Sequence, residues 1–196
     1  MSGVERRWPV RQCAAILRRG GVVAYPTEAV FGLGCDPLDS EAVARILAIK
    51  GRSWRQGLIL IGADLDQLRP WMAEISPETV ARLQASWPGP TTWLVPAAHW
   101  VPEWLTGGRP TIAVRVPGHP LARALCRLAG RALVSTSANR SSRPAARKAL
   151  QVRRWLGNEL DAVLGGETLG YTRPSTIRDA ASGRVVRHGA ADGEQA

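Results

Sequence analysis

The chain has 196 residues, 45% of them hydrophobic, with 26 basic against 16 acidic side chains and a net charge of +10. Such a length fits one domain able to bury a core, and the composition excludes a disordered chain. No apolar run approaches the ~20 residues that cross a bilayer, and residues 1–8 lack the apolar core of a secretory leader, so the reading is a cytoplasmic protein away from membranes.

Residues 9–19 read as a first helix, with Pro9 near its start and Gly20-Gly21 at its close. The apolar run that follows reads as a buried strand, which Pro26 ends because proline has a fixed φ and no N–H. Thr27 and Glu28 then stand at a strand's C-terminal end, where open α/β sheets place ligands, and Gly32 and Gly34 are assigned to the loop beyond. Asp39-Ser40 caps a helix that runs to Lys50, with Val43, Ile46, Leu47 and Ile49 as its apolar positions. Residues 57–62 are a glycine-bounded apolar run, hence a fully buried strand. Residues 64–72 hold a short helix, and Ser76-Pro77-Glu78 starts another.

Trp87-Pro88-Gly89-Pro90 makes a rigid corner before a strand at 91–95, and residues 99–110 read as a loop rich in Trp, Pro and Gly. Residues 111–116 alternate: Ile112, Val114 and Val116 face one side, Thr111, Ala113 and Arg115 the other. A helix at 120–129 stops at Gly130, a strand follows at 132–136, and a helix spans about 145–156. Short strands are expected at 161–164, 175–178 and 184–187, and the small polar tail from residue 190 is expected to be disordered. Interleaved strands and helices argue for a single α/β domain over residues 1–189, with part of the sheet open to a cavity or to water.

A pI near 11.0 points to an anionic partner, nucleotide or RNA, with plain solubility as the other account. Of the 26 basic residues only Lys50 and Lys148 are lysine. Lysine offers phosphate a compact point charge where arginine offers a planar fork. Lys148 lies in a polar helical stretch, whereas Lys50-Gly51-Arg52 precedes a buried strand. The two cations there either answer the helix dipole or mark a site. Thr111 and Arg115 share one strand face, either at an exposed edge or at a paired site, since burying arginine alone is unfavourable. Ser135, Ser137 and Asn139 follow an apolar strand, and such a loop either binds phosphate or carboxylate or caps the next helix. Cys13, Cys35 and Cys126, and His99, His119 and His188, lack metal-ligand spacing, and Cys13 and Cys126 read as buried thiols. There is no glycine-rich phosphate-loop or dinucleotide fingerprint and no nucleophilic triad pattern. Chemistry here therefore rests on positioning and on electrostatic stabilisation of anions.

Six segments in this order resemble the YrdC-like family in its short form, over about residues 9–189. They are Tyr25-Pro-Thr-Glu-Ala-Val-Phe-Gly-Leu-Gly34, Lys50-x-Arg52, Trp87-Pro-Gly-Pro90, Ala113-Val-Arg-Val116, Leu133-Val-Ser-Thr-Ser-Ala-Asn139 and Pro174-Ser-Thr-Ile-Arg-Asp179. The resemblance implies a twisted, open, mixed sheet flanked by helices around a large basic cavity. It implies an enzyme that condenses L-threonine, bicarbonate and ATP to threonylcarbamoyl-adenylate and pyrophosphate. That product serves modification of the tRNA adenosine beside the anticodon, through downstream transfer proteins.

Carried over, Thr27, Arg115, Ser135 and Ser175 are threonine contacts. Lys50, Arg52, Thr111, Ser137, Asn139 and Arg187 are the ATP side, and Lys50, Arg52 and Thr27 carry the chemistry. Mg²⁺ would arrive with ATP, with no dedicated protein site. The 50–57 loop around Trp54 is the candidate lid. Many members have proline where this chain has Ser53 and Gly57, and a small residue or glycine within Arg140-Ser141-Ser142. The chain also ends soon after Gly189, without the C-terminal domain of the longer form. Two other readings fit the same features: an RNA-binding module that grips tRNA, and a paralogue with another acyl or carbamoyl substrate.

Overall fold

The computed structural model describes residues 3–192. Its strands are β1 (Val23–Pro26), β2 (Phe31–Gly34), β3 (Ile59–Ile61), β4 (Thr91–Pro96), β5 (Thr111–Arg115), β6 (Leu133–Ser137), β7 (Ala162–Val163), β8 (Thr176–Asp179) and β9 (Val185–Arg187). They form a mixed sheet in the order β7-β1-β2-β6-β3-β5-β4-β8-β9. The β1–β7, β3–β5 and β4–β8 pairs are parallel and the other neighbours antiparallel. The helices are α1 (Trp8–Arg18), α2 (Ser40–Lys50), α3 (Leu65–Leu68), α4 (Pro77–Ser86), α5 (Glu103–Thr106), α6 (Pro120–Ala129) and α7 (Ala149–Leu156). The expected mixed α/β sheet is therefore present.

Local chemistry sets the helix ends. The Asp39 side chain accepts from Ala42 N at the start of α2, and Gly51 closes that helix at φ 57. Ser76 accepts from Thr79 N at α4. At α6, Nδ1 of His119 accepts from Leu121 N and Nε2 donates to Glu167 O, a pairing that belongs to the neutral ring. Burial moves the same way, holding the His119 pKa below its ordinary value.

Four details differ from the sequence reading. Residues 31–34, assigned to a loop, are strand β2, the return arm of a hairpin with β1. Their glycines serve close packing: a Cβ on Gly34 would lie 2.7 Å from Val134 O and 2.8 Å from the Tyr25 ring. The 99–110 loop contains α5, which its proline and glycine density concealed. Helix α7 starts at Ala149 rather than near 145, because Gln151 Oε1 accepts from the N–H groups of Arg147 and Lys148 and fixes the start there. The tail begins with a 3₁₀ turn, Ala190–Asp192, in which buried Ala190 donates to Pro174 O. The rest of the expected disordered tail, residues 193–196, lies outside the described residues.

The two sheet faces have different fates. Leu60 pairs with Val114 and Val134, and Val114 with Trp93. This row packs under Val43, Ile46 and Ile49 of α2, Leu83 of α4, and Val152 and Leu156 of α7. On the opposite face Ile61 and Leu133 pack with Val10, Cys13 and Leu17 of α1 and with Leu121, Leu125 and Cys126 of α6. Two residues along the same strands, hence on the same face, come Ile59 and Ser135, with Ala113 and Leu94 beside them in register. These positions floor a cavity. Cys13 and Cys126 are buried as expected, and Cys35 with them. Among the described residues no helix is long and apolar enough to cross a membrane.

The packing of Gly34 generates a prediction. Gly34→Ala forces its methyl into the Val134 carbonyl and the Tyr25 ring, so overpacking lowers stability by about 1–3 kcal/mol. Urea denaturation reads the loss; an unchanged midpoint would refute this account of the hairpin.

Candidate active site

The cavity has a volume of about 480 Å³. Thr27, Arg52, Thr111, Arg115, Ser135, Ser137, Ser175 and Arg187 all line it, although they are scattered along the sequence. The strand reading explains the convergence. Thr27 follows β1, Thr111 and Arg115 lie on the polar face of β5, Ser135 and Ser137 on β6, Ser175 precedes β8, and Arg187 ends β9.

Lys50 and Asn139 stand behind this lining. Lys50 is 4% exposed, at the last turn of α2. Its Nζ donates to Ser137 O (2.6 Å), Ser137 Oγ (3.3 Å), Asn139 O (3.1 Å) and Asn139 Oδ1 (2.9 Å). Ser137 Oγ itself donates to Asn139 Oδ1 at 2.7 Å, and Asn139 Nδ2 to Arg143 O. The lysine thus pins the end of β6 and fixes the Ser137 hydroxyl at the cavity wall. Burial, followed by the nearby Arg52 charge, pushes the Lys50 pKa down to about 8.

Thr27 closes the β1–β2 turn: its N–H and its hydroxyl both donate to Val30 O, at 3.1 and 2.6 Å. With its proton spent there, Oγ1 of this cavity-lining residue is left as an acceptor. Ser175 accepts from Thr92 Oγ1 at 2.9 Å, which orients its own hydroxyl. Arg115 lies 3.6 Å from Glu28, both of them buried.

The other cations are held by neutral oxygens. Arg52 Nη2 donates to Gly57 O (2.8 Å) and Gln56 O (3.3 Å), Arg187 Nη2 to Ser175 O (2.9 Å), and Arg109 Nη1 to Thr106 O (3.5 Å). Among the described residues no carboxylate pairs with Arg52, Arg109 or Arg187. They crowd one another instead. Burial and then Arg109 lower the Arg52 pKa; burial, then Arg115 and Arg52, lower that of Arg187.

Sequence reasoning missed Arg109 and Arg173, which also line the cavity, and left Glu28 without a role. Arg109 sat in the segment read as a loop rich in Trp, Pro and Gly; its one signal was the preceding Gly107-Gly108 pair, both at positive φ. At the two positions where the resemblance leads one to expect proline, Ser53 caps the 3₁₀ turn Trp54–Gln56 by accepting from Arg55 N, and Gly57 takes φ 70. Ser142 adopts φ 63, a left-handed conformation that glycine takes more readily.

Among the described residues no group of three or more His, Cys, Asp or Glu side chains comes together. Glu28, the cavity's carboxylate, already accepts from Gly118 N at 2.7 Å. These residues do not make a cage for Mg²⁺.

A family model for Sua5/YciO/YrdC proteins, described as "Telomere recombination", matches residues 15–189. The chain belongs to this family. A Sua5/YciO/YrdC relative named threonylcarbamoyl-AMP synthase, from Halorhodospira halophila, is 56% identical over 182 residues, covering 93% of this chain and 95% of its own. The solved structure of P. abyssi Sua5 complexed with L-threonine matches with a TM-score of 0.87 at 35% identity. The match covers 93% of this chain and 54% of that one, so the chain spans about half the length of P. abyssi Sua5. E. coli YciO matches with a TM-score of 0.82 at 28% identity, covering 94% of this chain and 90% of its own.

The Lys50 environment predicts a titration. With Lys148 the other lysine in the sequence, Lys50 is assigned in an Nζ NMR titration by Lys148→Arg, and its midpoint falls at about 8 rather than 10.5. The unfolded chain then binds the extra proton between about pH 8 and 10.5, so this group's contribution to stability rises with pH across that window, measured against Lys50→Met. An ordinary midpoint would overturn the assignment.

Proposed function

We propose that the chain is a threonylcarbamoyl-AMP synthase that joins L-threonine, bicarbonate and ATP. The threonylcarbamoyl-adenylate it makes supplies tRNA modification beside the anticodon, through a separate transferase. The carrying observation is the convergence of Arg52, Arg109, Arg187 and Arg115 on one cavity, the first three anchored by carbonyl oxygens and Arg115 paired with the Glu28 carboxylate. A ligand with several negative charges at one end and an amino acid at the other answers that pattern.

On this reading Arg115 takes the threonine carboxylate through its fork. Ser135, Ser175 and Thr27 surround the amino acid, with Thr27 Oγ1 as an acceptor. Arg52, Arg109, Arg187, Thr111 and Ser137 receive the triphosphate and adenylate. The threonine amine adds to the carbon of bicarbonate, water leaves, and a carbamate results. A carbamate oxygen then bonds to the α-phosphorus as the bond from that phosphorus to the bridging oxygen breaks, releasing pyrophosphate. No protein nucleophile is required. The arginines offset the charge that gathers on the leaving group, and the walls hold both reactants in line.

Lys50 and Asn139 serve this chemistry by positioning Ser137. Any Mg²⁺ would come with the triphosphate rather than be held by these residues, and would supply neutralisation of phosphate charge. The 50–57 loop, tied through Arg52 to Gln56 O and Gly57 O, is the proposed lid that keeps water from the mixed anhydride.

Pyrophosphate release tests the reading: it should require ATP, bicarbonate and threonine together. Release independent of threonine would overturn it, and a different preferred amino acid would mark a paralogue. Arg52→Ala should lower turnover about 100-fold with an unchanged Tm. Arg115→Lys keeps a charge facing Glu28 but loses the fork, so it should raise KM for threonine about tenfold while the Kd for ATP holds.

A further inference from the structure

Glu28 and Arg115 are 2% and 7% exposed, and both line the cavity. Glu28 Oε1 is satisfied by Gly118 N at 2.7 Å. Its other oxygen, Oε2, is buried without a hydrogen-bond partner, 3.6 Å from Arg115 Nη2 and so short of a hydrogen bond. Arg115 Nε is likewise buried and unpartnered. Glu28 Oε2 and Arg115 Nε, each buried and without a hydrogen-bond partner, therefore belong to two side chains of one cavity wall that meet in a 3.6 Å ion contact.

Such orphans are unfavourable unless a ligand supplies the missing partners. A brace whose whole purpose was to hold Arg115 would close to a charge-assisted bond of about 2.7–2.9 Å. The gap instead suits a ligand that carries a cationic donor and an anionic acceptor two bonds apart, which describes an α-amino acid zwitterion.

We propose that Glu28 Oε2 receives the α-ammonium of the amino acid while Arg115 receives its carboxylate. The assignment rests on the amino-acid reading of this site given above. Thr27 Oγ1, an acceptor because its proton is donated to Val30 O, takes a second ammonium proton. Glu28 thereby selects an α-amino acid over a carboxylic acid of the same shape.

Calorimetric titration with L-threonine and with 3-hydroxybutyrate, which keeps the carboxylate and hydroxyl but lacks the amine, tests this. The wild-type chain should bind threonine at least tenfold more tightly than 3-hydroxybutyrate. E28Q keeps the side chain's shape and an acceptor for Gly118 but replaces the free oxygen with a donor. It should weaken threonine at least tenfold and leave 3-hydroxybutyrate within twofold. Equal weakening of both ligands makes Glu28 a brace alone and overturns the proposal, as does an E28Q variant that binds threonine normally. Should E28Q not fold, the wild-type comparison still decides, because equal affinity for the two ligands overturns the proposal. A wild-type chain that binds neither ligand would instead remove the amino-acid reading itself.

Discussion

The site is organised by holding positive charge in place without cancelling it. Lys50, Arg52, Arg109 and Arg187 are anchored by backbone carbonyls and by the amide and hydroxyl of their neighbours. A carbonyl dipole fixes the direction of a donor yet leaves its full charge to act beyond it, whereas a carboxylate would orient and neutralise together. Burial, and after it the mutual repulsion that follows, lower the Arg52 and Arg187 pKa values, and a bound polyanion would relieve that repulsion. Recognition of the anion is thus built into how the cations are fixed.

That arrangement needs a surface on which to converge, and the sheet provides it by being half covered. Helices α1 and α6 close one end of a face over Ile61 and Leu133. Beyond them the same strands carry Ser135, Ala113 and Ile59 as an open floor. The apolar burial that stabilises the molecule lies mainly on the opposite face and under α1 and α6. The small and polar floor residues are therefore free of packing duty.

Much of this was legible in the sequence because alternation reports faces directly. Thr111, Ala113 and Arg115 do face the cavity while Ile112 and Val114 are fully buried. Caps at Asp39, Ser76 and Gly130 marked helix ends because their chemistry is local. What escaped depended on distant partners. Gly32 and Gly34 looked like loop residues because the Tyr25 ring and the Val134 carbonyl that require them come from other strands or from the hairpin's far arm. Lys50 read as a phosphate ligand, and nothing local shows that its ammonium is engaged by residues 137–139. The orphaned oxygen of Glu28 is visible only once Gly118 and Arg115 stand around it.

The cavity draws on residues from Thr27 to Ala190, and among its late contributors Ser175 and Arg187 belong to the final two strands and their approach. Strand β8 docks beside β4, laid down some eighty residues earlier in the sequence. A chain that lacks the closing hairpin lacks part of the cavity wall, Arg187 included, and the core residue Ala180. On the proposed function, nucleotide and amino acid would reward only the finished molecule, adding their binding free energy to the fully assembled fold and to no partial one.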